Sequence, residues 1–117
     1  VPLHCTASGK LFLAFMPARQ RRTLVAGLSL TRMTERTLVT AAALEAECKV
    51  AAKRGYSLDE EEFITGLVAL AVPVRDAQGL VRAALAVHAP KARMSIAAAQ
   101  ERLPAMLAAA QRMRGLL

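Results

Sequence analysis

The stretch LVALAVPVR, residues 67–75, followed by DAQG, residues 76–79, and LVRAALAVH, residues 80–88, decides the fold. The two apolar runs have the length and β-branched content of strands, and the four residues between them have turn chemistry. We therefore predict an antiparallel hairpin. Because both runs are apolar at nearly every position, both faces of the hairpin should be covered. Pro73 predicts an edge position or an irregularity in the first strand.

Three helices are predicted before the hairpin, each with a residue that suits an N-cap or a first turn. They are 11–16 after Thr6, about 17–27 from Pro17, and 41–54 after Thr40. Gly55 supplies a stop for the third helix. Residues 28–39 are expected to form a loop and residues 56–58 a short strand.

One long helix is predicted after the hairpin, from Ile96 to about Arg114, with Ser95 as its N-cap. Pro104 should kink or restart it, because proline lacks the N–H that an internal helical position donates. A lone hairpin is a poor sheet for so much apolar surface. We therefore expect either further strands outside this chain or pairing with another molecule.

Length and composition fit one packed domain over residues 1–117, since 55% of the residues are apolar and 21% are charged. No apolar run reaches the roughly 18 residues of a membrane span, so no membrane association is expected. Cys5 and Cys48 are too few and too far apart for a disulfide framework, which favours the reducing cytoplasm.

The net charge of +7 raises the question of nucleic-acid binding. The basic residues are scattered, and Arg19, Arg21 and Arg22 form the one tight group. We interpret that group as a solvated helix face rather than a phosphate site. Aromatic residues do not interleave with the charges, which disfavours base stacking.

Signals for catalysis are weak. Cys5 and His88 leave open a nucleophilic pair and hence a small hydrolase, but no Gly-x-Ser-x-Gly elbow accompanies them. His4, Cys5, Ser8, Asp59 and His88 could offer metal ligands, without any tight Cys/His spacing in support. We therefore predict no catalytic residues, no metal ligands and no cofactor.

Three segments together carry a resemblance to a known family. They are PLHCTASGK at 2–10, RGYSLDEE at 54–61 and PVRDAQGLV at 73–81. In this order and spacing, with Pro90 after the second strand and Ser95 at the last helix, the chain resembles the effector-binding domain of IclR-type bacterial transcription regulators. The resemblance covers essentially the whole chain.

This resemblance implies an α+β fold, a GAF-like antiparallel sheet flanked by helices, here lacking its N-terminal strands. It implies the C-terminal portion of a longer regulator, whose absent N-terminal helix-turn-helix domain contacts DNA. It further implies a small-molecule effector, a homodimer or homotetramer, and no enzymatic activity. A module that only holds subunits together is the remaining alternative.

The family's effector-contacting positions fall, by resemblance, on Ala7, Ser8, Asp59, Leu67, Ala69, Ala86 and His88. Separately, a helix start at Thr6–Gly9 would offer free backbone N–H groups that favour a carboxylate. A plain helix cap, an exposed loop acid at Asp59 and a solvent-facing His88 are the alternatives. Small-acid sensors of the family carry polar side chains where Ala69 and Ala86 stand, so an aromatic or branched organic acid is expected.

Overall fold

The strands and helices follow the predicted order. The short strand predicted before the hairpin is present and pairs with it. The computed structural model describes residues 2–117. Its strands are β1 Ser57–Glu60, β2 Leu67–Arg75 and β3 Val81–Pro90. Its helices are α1 Ala7–Phe15, α2 Ala18–Gly27, α3 Ala41–Arg54, α4 Ile96–Glu101 and α5 Leu103–Met113, followed by a short 3-10 turn at Arg114–Leu116. The predicted α+β class is confirmed.

Strand β2 lies at the centre of an antiparallel sheet of order β1-β2-β3. β1 pairs only with residues 68–71 of β2, so Pro73 lies beyond it and pairs with Ala84 of β3 alone. The register shifts between Val74 and Arg75. Pro73 therefore occupies the kind of position where a missing ladder N–H is tolerated.

The predicted helix ends are confirmed by their hydrogen bonds. The Thr6, Thr40 and Ser95 hydroxyl oxygens accept from the N–H groups of Gly9, Ala43 and Ala98 at 3.0, 3.2 and 3.1 Å. Gly55 ends α3 with a φ of 94°, a left-handed conformation that glycine adopts without steric penalty. The last helix is interrupted at Arg102, so Pro104 lies in the first turn of α5.

The prediction that both faces of the hairpin are covered holds for β2, which is buried on both faces, but not for β3, whose residues are half-buried or exposed. The larger residues of β2 face α4 and α5 in a core of branched and methionine side chains: Val68, Leu70, Val72, Val74, Met94 and Met106. Its alanines face α1, where Ala69 and Ala71 pack with Ala7 and Leu11. A third cluster joins α1 to α2 and α3. Within residues 2–117, no helix combines the length and apolar character required to cross a membrane.

Two expectations about charged residues are wrong. Arg21 is 5% exposed and its Nε donates to Glu45 Oε2 at 2.9 Å, so the tight basic group is not a fully solvated face. The acidic run of residues 59–62 begins inside the sheet rather than after the strand expected at 56–58, because Asp59 and Glu60 pair with Ala69 and Val68. Pairing with a neighbouring strand outweighs the weak β-propensity of acidic residues.

Candidate functional site

A cavity of about 240 Å³ opens between the start of α1, the sheet and the loop over residues 61–66. It is lined by Thr6, Ser8, Asp59, Phe63, Ile64, Leu67 and His88. Four of the seven positions expected to contact an effector therefore meet in one place, although they are far apart along the chain. Thr6 of the expected helix start joins them.

The register of the sheet explains how these side chains come together. Asp59 pairs with Ala69, and Ala69 pairs with His88, so the three form one row across β1, β2 and β3. Paired residues project to the same face, and Leu67 shares that face because side chains alternate along a strand. The outer members of the row, Asp59 and His88, line the cavity.

Ala7, Ala69 and Ala86 lie beneath the cavity wall rather than in it. Ala7 and Ala69 are fully buried, and Ala86 packs against the same cluster between α1 and the sheet. Their methyl groups let the first turn of α1 lie close to the strands. Their contribution to the cavity is therefore the close approach of its walls, and not a surface for a ring.

The start of α1 combines a cap with available donors. Thr6 Oγ1 accepts from the Gly9 N–H at 3.0 Å and donates to the Pro2 carbonyl at 2.7 Å. Among residues 2–117, the N–H groups of Ala7 and Ser8 have no acceptor. These two N–H groups carry the positive end of the helix dipole, at the side of the cavity where Ser8 lies.

Gly9 is required by a close backbone crossing at this helix start. A Cβ at position 9 would lie 2.6 Å from Leu3 Cα and 2.7 Å from the Pro2 carbonyl oxygen. Both atoms belong to the main chain, which cannot rotate away as a side chain does. The segment before α1 can therefore lie over its first turn only if residue 9 has no side chain.

Asp59 is a buried acid with one oxygen in use. The residue is 3% exposed, and its Oδ1 accepts from the Glu62 N–H at 2.8 Å. Oδ2 has no hydrogen-bond partner within residues 2–117. Burial raises the pKa of Asp59 and the Glu62 carboxylate adds to this, whereas the Glu62 N–H and the charges of Lys10 and His88 oppose it. The alternative of an exposed loop acid is wrong.

A buried ion pair supports this side of the cavity. Lys10 is 1% exposed, and its Nζ donates to Glu62 Oε1 at 2.7 Å. The other oxygen of Glu62 accepts from the Glu60 N–H at 3.0 Å, and its carbonyl accepts from the Thr37 hydroxyl at 2.7 Å. Glu62 thereby joins α1, β1 and the loop that follows α2. The Ser57 hydroxyl adds a hydrogen bond from β1 to the Ala7 carbonyl.

His88 lies at the mouth of the cavity. It belongs to β3, one of the two edge strands of the sheet within residues 2–117, and the residue is exposed. Solvent contact and contact with the cavity are therefore compatible at this residue. Its imidazole can donate to or accept from a molecule that enters.

A match to a protein-family model identifies the family of this chain. The family model described as the bacterial transcriptional regulator IclR C-terminal domain matches residues 1–114. The chain belongs to the IclR family. Its fold is that of the IclR effector-binding domain, as the resemblance in the sequence predicts.

Relatives of this IclR-type domain are full-length regulators. The probable transcriptional regulator SauR of Cupriavidus necator is 46% identical over 96 residues, which are 82% of this chain and 38% of SauR. The regulator KdgR of Escherichia coli is 35% identical over 111 residues, 95% of this chain and 42% of KdgR. The chain thus spans less than half the length of these curated relatives.

Solved structures agree on the fold of the domain. The C-terminal domain of E. coli KdgR superposes with a TM-score of 0.89 at 34% identity, over 97% of this chain and 70% of that one. The inducer-binding domain of PobR from Acinetobacter, a double mutant in complex with 3-hydroxybenzoic acid, gives a TM-score of 0.95 at 28% identity. That match covers 100% of this chain and 67% of the PobR chain.

The hydrolase alternative has no support in this IclR-type domain. The relatives described above are transcriptional regulators, and the domain is not an enzyme. Cys5 is fully buried, and burial, with Asp59 and Glu62 nearby, raises the pKa of its thiol to about 11. A thiol with that pKa is almost entirely protonated at neutral pH and is a poor nucleophile. Within residues 2–117, no cluster of three or more His, Cys, Asp or Glu side chains is arranged to hold a metal.

Phe63 and Ile64 are the cavity residues that the sequence analysis missed. They lie between the acidic run and Gly66, in a stretch that has neither helical nor strand periodicity. Two adjacent apolar residues amid acids and turn residues were the one available signal. That signal does not say which cavity, if any, the side chains face.

Proposed function

We propose that this domain senses a small hydroxylated aromatic acid, which binds in the cavity at the start of α1. The observation that carries the proposal is the composition of that cavity. It joins free N–H groups at a helix start, an unpaired oxygen of the buried Asp59, and an apolar wall of Phe63, Ile64 and Leu67. Such a set matches a ligand with an anionic end, a ring and a hydroxyl group.

The acid group of the effector lies at the N–H groups of Ala7 and Ser8. Helix starts favour anions because free donors and the helix dipole point at the same place. Ser8 is itself one of the residues that line the cavity. This N-terminal turn is paired with a second feature, the cavity itself, which separates it from an ordinary solvent-exposed cap.

The hydroxyl group of the effector donates to Asp59 Oδ2, while His88 contacts the polar edge at the mouth. A second carboxylate at Asp59 is disfavoured, because two like charges in a buried site repel. The ring lies against Leu67, Phe63 and Ile64. Ala69 and Ala86 lie behind this wall, where they let α1 pack close to the sheet. The volume of about 240 Å³ lies just below the roughly 300–1,000 Å³ of drug-sized sites, which suits a ligand of one ring.

The 3-hydroxybenzoic acid bound by the PobR domain supports this class of effector, since that domain superposes over the whole of this chain. The buried polar groups around the cavity also weigh against a module that only holds subunits together. Such a module has no use for a buried carboxylate that keeps one oxygen open to a cavity.

Regulation follows by a shift in population. Residues 1–117 are the C-terminal portion of a longer cytoplasmic regulator, a homodimer or homotetramer, whose N-terminal helix-turn-helix domain contacts DNA. The effector binds one arrangement of the subunits better than the other and so changes the spacing of the DNA-binding domains. The free energy by which the effector shifts this equilibrium equals the difference between its binding free energies for the two arrangements.

A thermal-shift experiment on the full-length regulator tests the proposal. 3-Hydroxybenzoate at about 100 times its dissociation constant should stabilise the protein by roughly 2.7 kcal/mol. Benzoate, which lacks the hydroxyl group, and isophthalate, which adds a second carboxylate, should bind more weakly. If none of these acids shifts the melting temperature at millimolar concentration, the proposed effector class is wrong.

The position of the effector is tested with a matched pair of aspartates. Asp59→Asn should reduce the preference for 3-hydroxybenzoate over benzoate, because an amide is a weaker acceptor than a carboxylate. Asp76→Asn is the control, since Asp76 is also buried but accepts from Gln78 and Leu80 in the hairpin turn. Equal effects of the two substitutions on the preference would place the hydroxyl group elsewhere.

A further inference from the structure

The loop over residues 61–66 bends so that two consecutive residues, Phe63 and Ile64, line one cavity. In an extended segment, Phe63 and Ile64 would point to opposite sides. Here the backbone turns at Glu61, whose φ is 61°, and again where the Leu67 N–H donates to the Ile64 carbonyl at 3.1 Å. Phe63 and Ile64 consequently both line the cavity.

Both ends of this loop are held by hydrogen bonds to the rest of the domain. On one side, Glu62 is held by Asp59, Thr37 and Lys10 through hydrogen bonds of 2.7–2.8 Å. On the other, the Gly66 carbonyl accepts from the Lys91 N–H at 2.7 Å. The tip at 63–65 therefore presents its apolar side chains on an anchored base, which forms that wall of the cavity before any ligand enters.

The polar and the apolar residues that line the cavity come from different parts of the fold. The polar groups come from the start of α1, from β1 and from β3, whereas the apolar groups come from the loop tip and the start of β2. Ile64 is 49% exposed and Phe63 is half-buried, so a ligand that reaches them removes apolar surface from water. A flat ring can also stack against Phe63, whereas an acid of two or three carbons presents little surface to it.

We infer that Phe63 and Ile64 are specificity-determining residues, which select a ring-bearing acid over a short aliphatic acid. The inference rests on the proposed function, because it assumes that the cavity binds an organic acid. It goes beyond that function by assigning the choice among acids to the loop tip. The N–H groups of α1 serve every carboxylate alike.

Isothermal titration of the full-length regulator with two probes tests this inference. The probes are 3-hydroxybenzoate and lactate, which share a carboxylate and a hydroxyl group and differ in the ring. The parent should prefer 3-hydroxybenzoate. Phe63→Ala should weaken 3-hydroxybenzoate about tenfold, equivalent to about 1.4 kcal/mol, and should change lactate binding by much less. Ile64→Ala should act in the same direction with a smaller effect.

Two further variants keep the result interpretable. Phe63→Leu retains apolar volume without a flat ring, so it should fold as the parent does and lose part of the preference. Val50→Ala is the matched control, because Val50 is 50% exposed on α3 and does not line the cavity. It should leave both affinities unchanged.

The outcomes separate the two claims. If the parent binds neither probe, the proposed function fails and this inference falls with it. If the parent binds 3-hydroxybenzoate but Phe63→Ala and Phe63→Leu keep its preference over lactate, the inference alone is overturned. An equal loss of both probes in Phe63→Ala and Phe63→Leu would also overturn it, because a purely structural role affects every ligand alike.

Discussion

The nine residues of β2 alternate between two faces of the strand, and the two faces differ in what they pack against. One face carries Val68, Leu70, Val72 and Val74 against α4 and α5, and the cluster there is made of hydrophobic residues. The other face carries Ala69 and Ala71 against α1, and its neighbours include the buried groups Ser57, Asp59, Lys10 and Glu62. A side-chain period of two assigns large residues to one layer and small ones to the other.

The difference between the two faces indicates that one contributes mainly to the stability of the domain and the other to ligand recognition. Branched side chains fill the centre of the layer between β2 and the helices α4 and α5. Alanines bring α1 close to the sheet, and the cavity opens where that layer ends, beside Leu67. Buried polar groups there must be satisfied by partners or by a ligand. Substitutions on the two faces should therefore have separable effects on stability and on binding.

The largest expected effect is on the polar side. Lys10→Met should lower the free energy of unfolding by about 3–5 kcal/mol, because it leaves the Glu62 carboxylate buried without its partner. Urea denaturation measures this loss. Lys10→Met combined with Glu62→Met should recover much of it, since no charge then remains unpaired. A loss below about 1 kcal/mol, typical of exposed ion pairs, would contradict the burial of this pair.

A similar or somewhat smaller loss is expected on the apolar face. Leu70→Ala should cost about 2–5 kcal/mol, because Leu70 is fully buried and its truncation leaves a void in the core. Leu80→Ala is the control, since Leu80 is 64% exposed at the hairpin and its change should stay within about 0.5 kcal/mol. At temperatures where Leu70→Ala is folded, it should bind the effector as the parent does. A selective loss of affinity would break the separation of the two faces.

Substitution of two helix N-caps should cost less stability and should distinguish the cavity from a remote helix. Thr6→Ala and Thr40→Ala each remove a hydroxyl oxygen that accepts from a backbone N–H, so each should cost about 1 kcal/mol in thermal denaturation. Thr6 lines the cavity and Thr40 caps the remote α3. Effector affinity should fall only in Thr6→Ala. Equal affinities in the two variants would exclude the start of α1 from the binding site.

The smallest expected effect is a pH dependence at Asp59. Because burial raises its pKa in the folded state, folding favours the protonated form. The parent should lose stability relative to Asp59→Asn as the pH rises from the ordinary aspartate pKa of 3.8 towards the raised value, and the difference should level off above it. The pKa values of Glu61 and Asp76 are lowered in the folded state, but their contributions to the pH dependence are present in both proteins and cancel. A difference that changes in the opposite direction would mean that the charged form is favoured.

Local signals predicted most of the fold, whereas the expectation that Ser8, Asp59, Leu67 and His88 meet at one site came from the family resemblance. The hairpin, the three capped helices and the interruption near Pro104 each depend on residues close together in the sequence, and all are present. The length of β1 was underestimated because its last two residues, Asp59 and Glu60, pair with β2 despite their low propensity for strands. That pairing is a non-local interaction, and it places Asp59 in the row with His88.

Buried charge was the second property that local signals did not predict. Lys10, Arg21 and Glu62 are residue types that are almost always exposed, and each is buried because a partner distant in sequence neutralises it. Sequence patterns do not contain those partners. The position of Ala86 illustrates the same limit: its strand was predicted correctly, but the helix that covers it could be placed only in three dimensions.

The crossing at Gly9 has a consequence for how such a sensor can diverge. Any other residue at position 9 would collide with main-chain atoms, so a lineage that keeps this fold keeps that glycine. Ser8, one position earlier, borders the cavity and is not enclosed in this way. Evolution towards new inducers, or a saturation library in the laboratory, should therefore find its tolerated variation at residue 8 and in the tip at residues 63–64. Position 9 would serve as the fixed point around which ligand preference drifts.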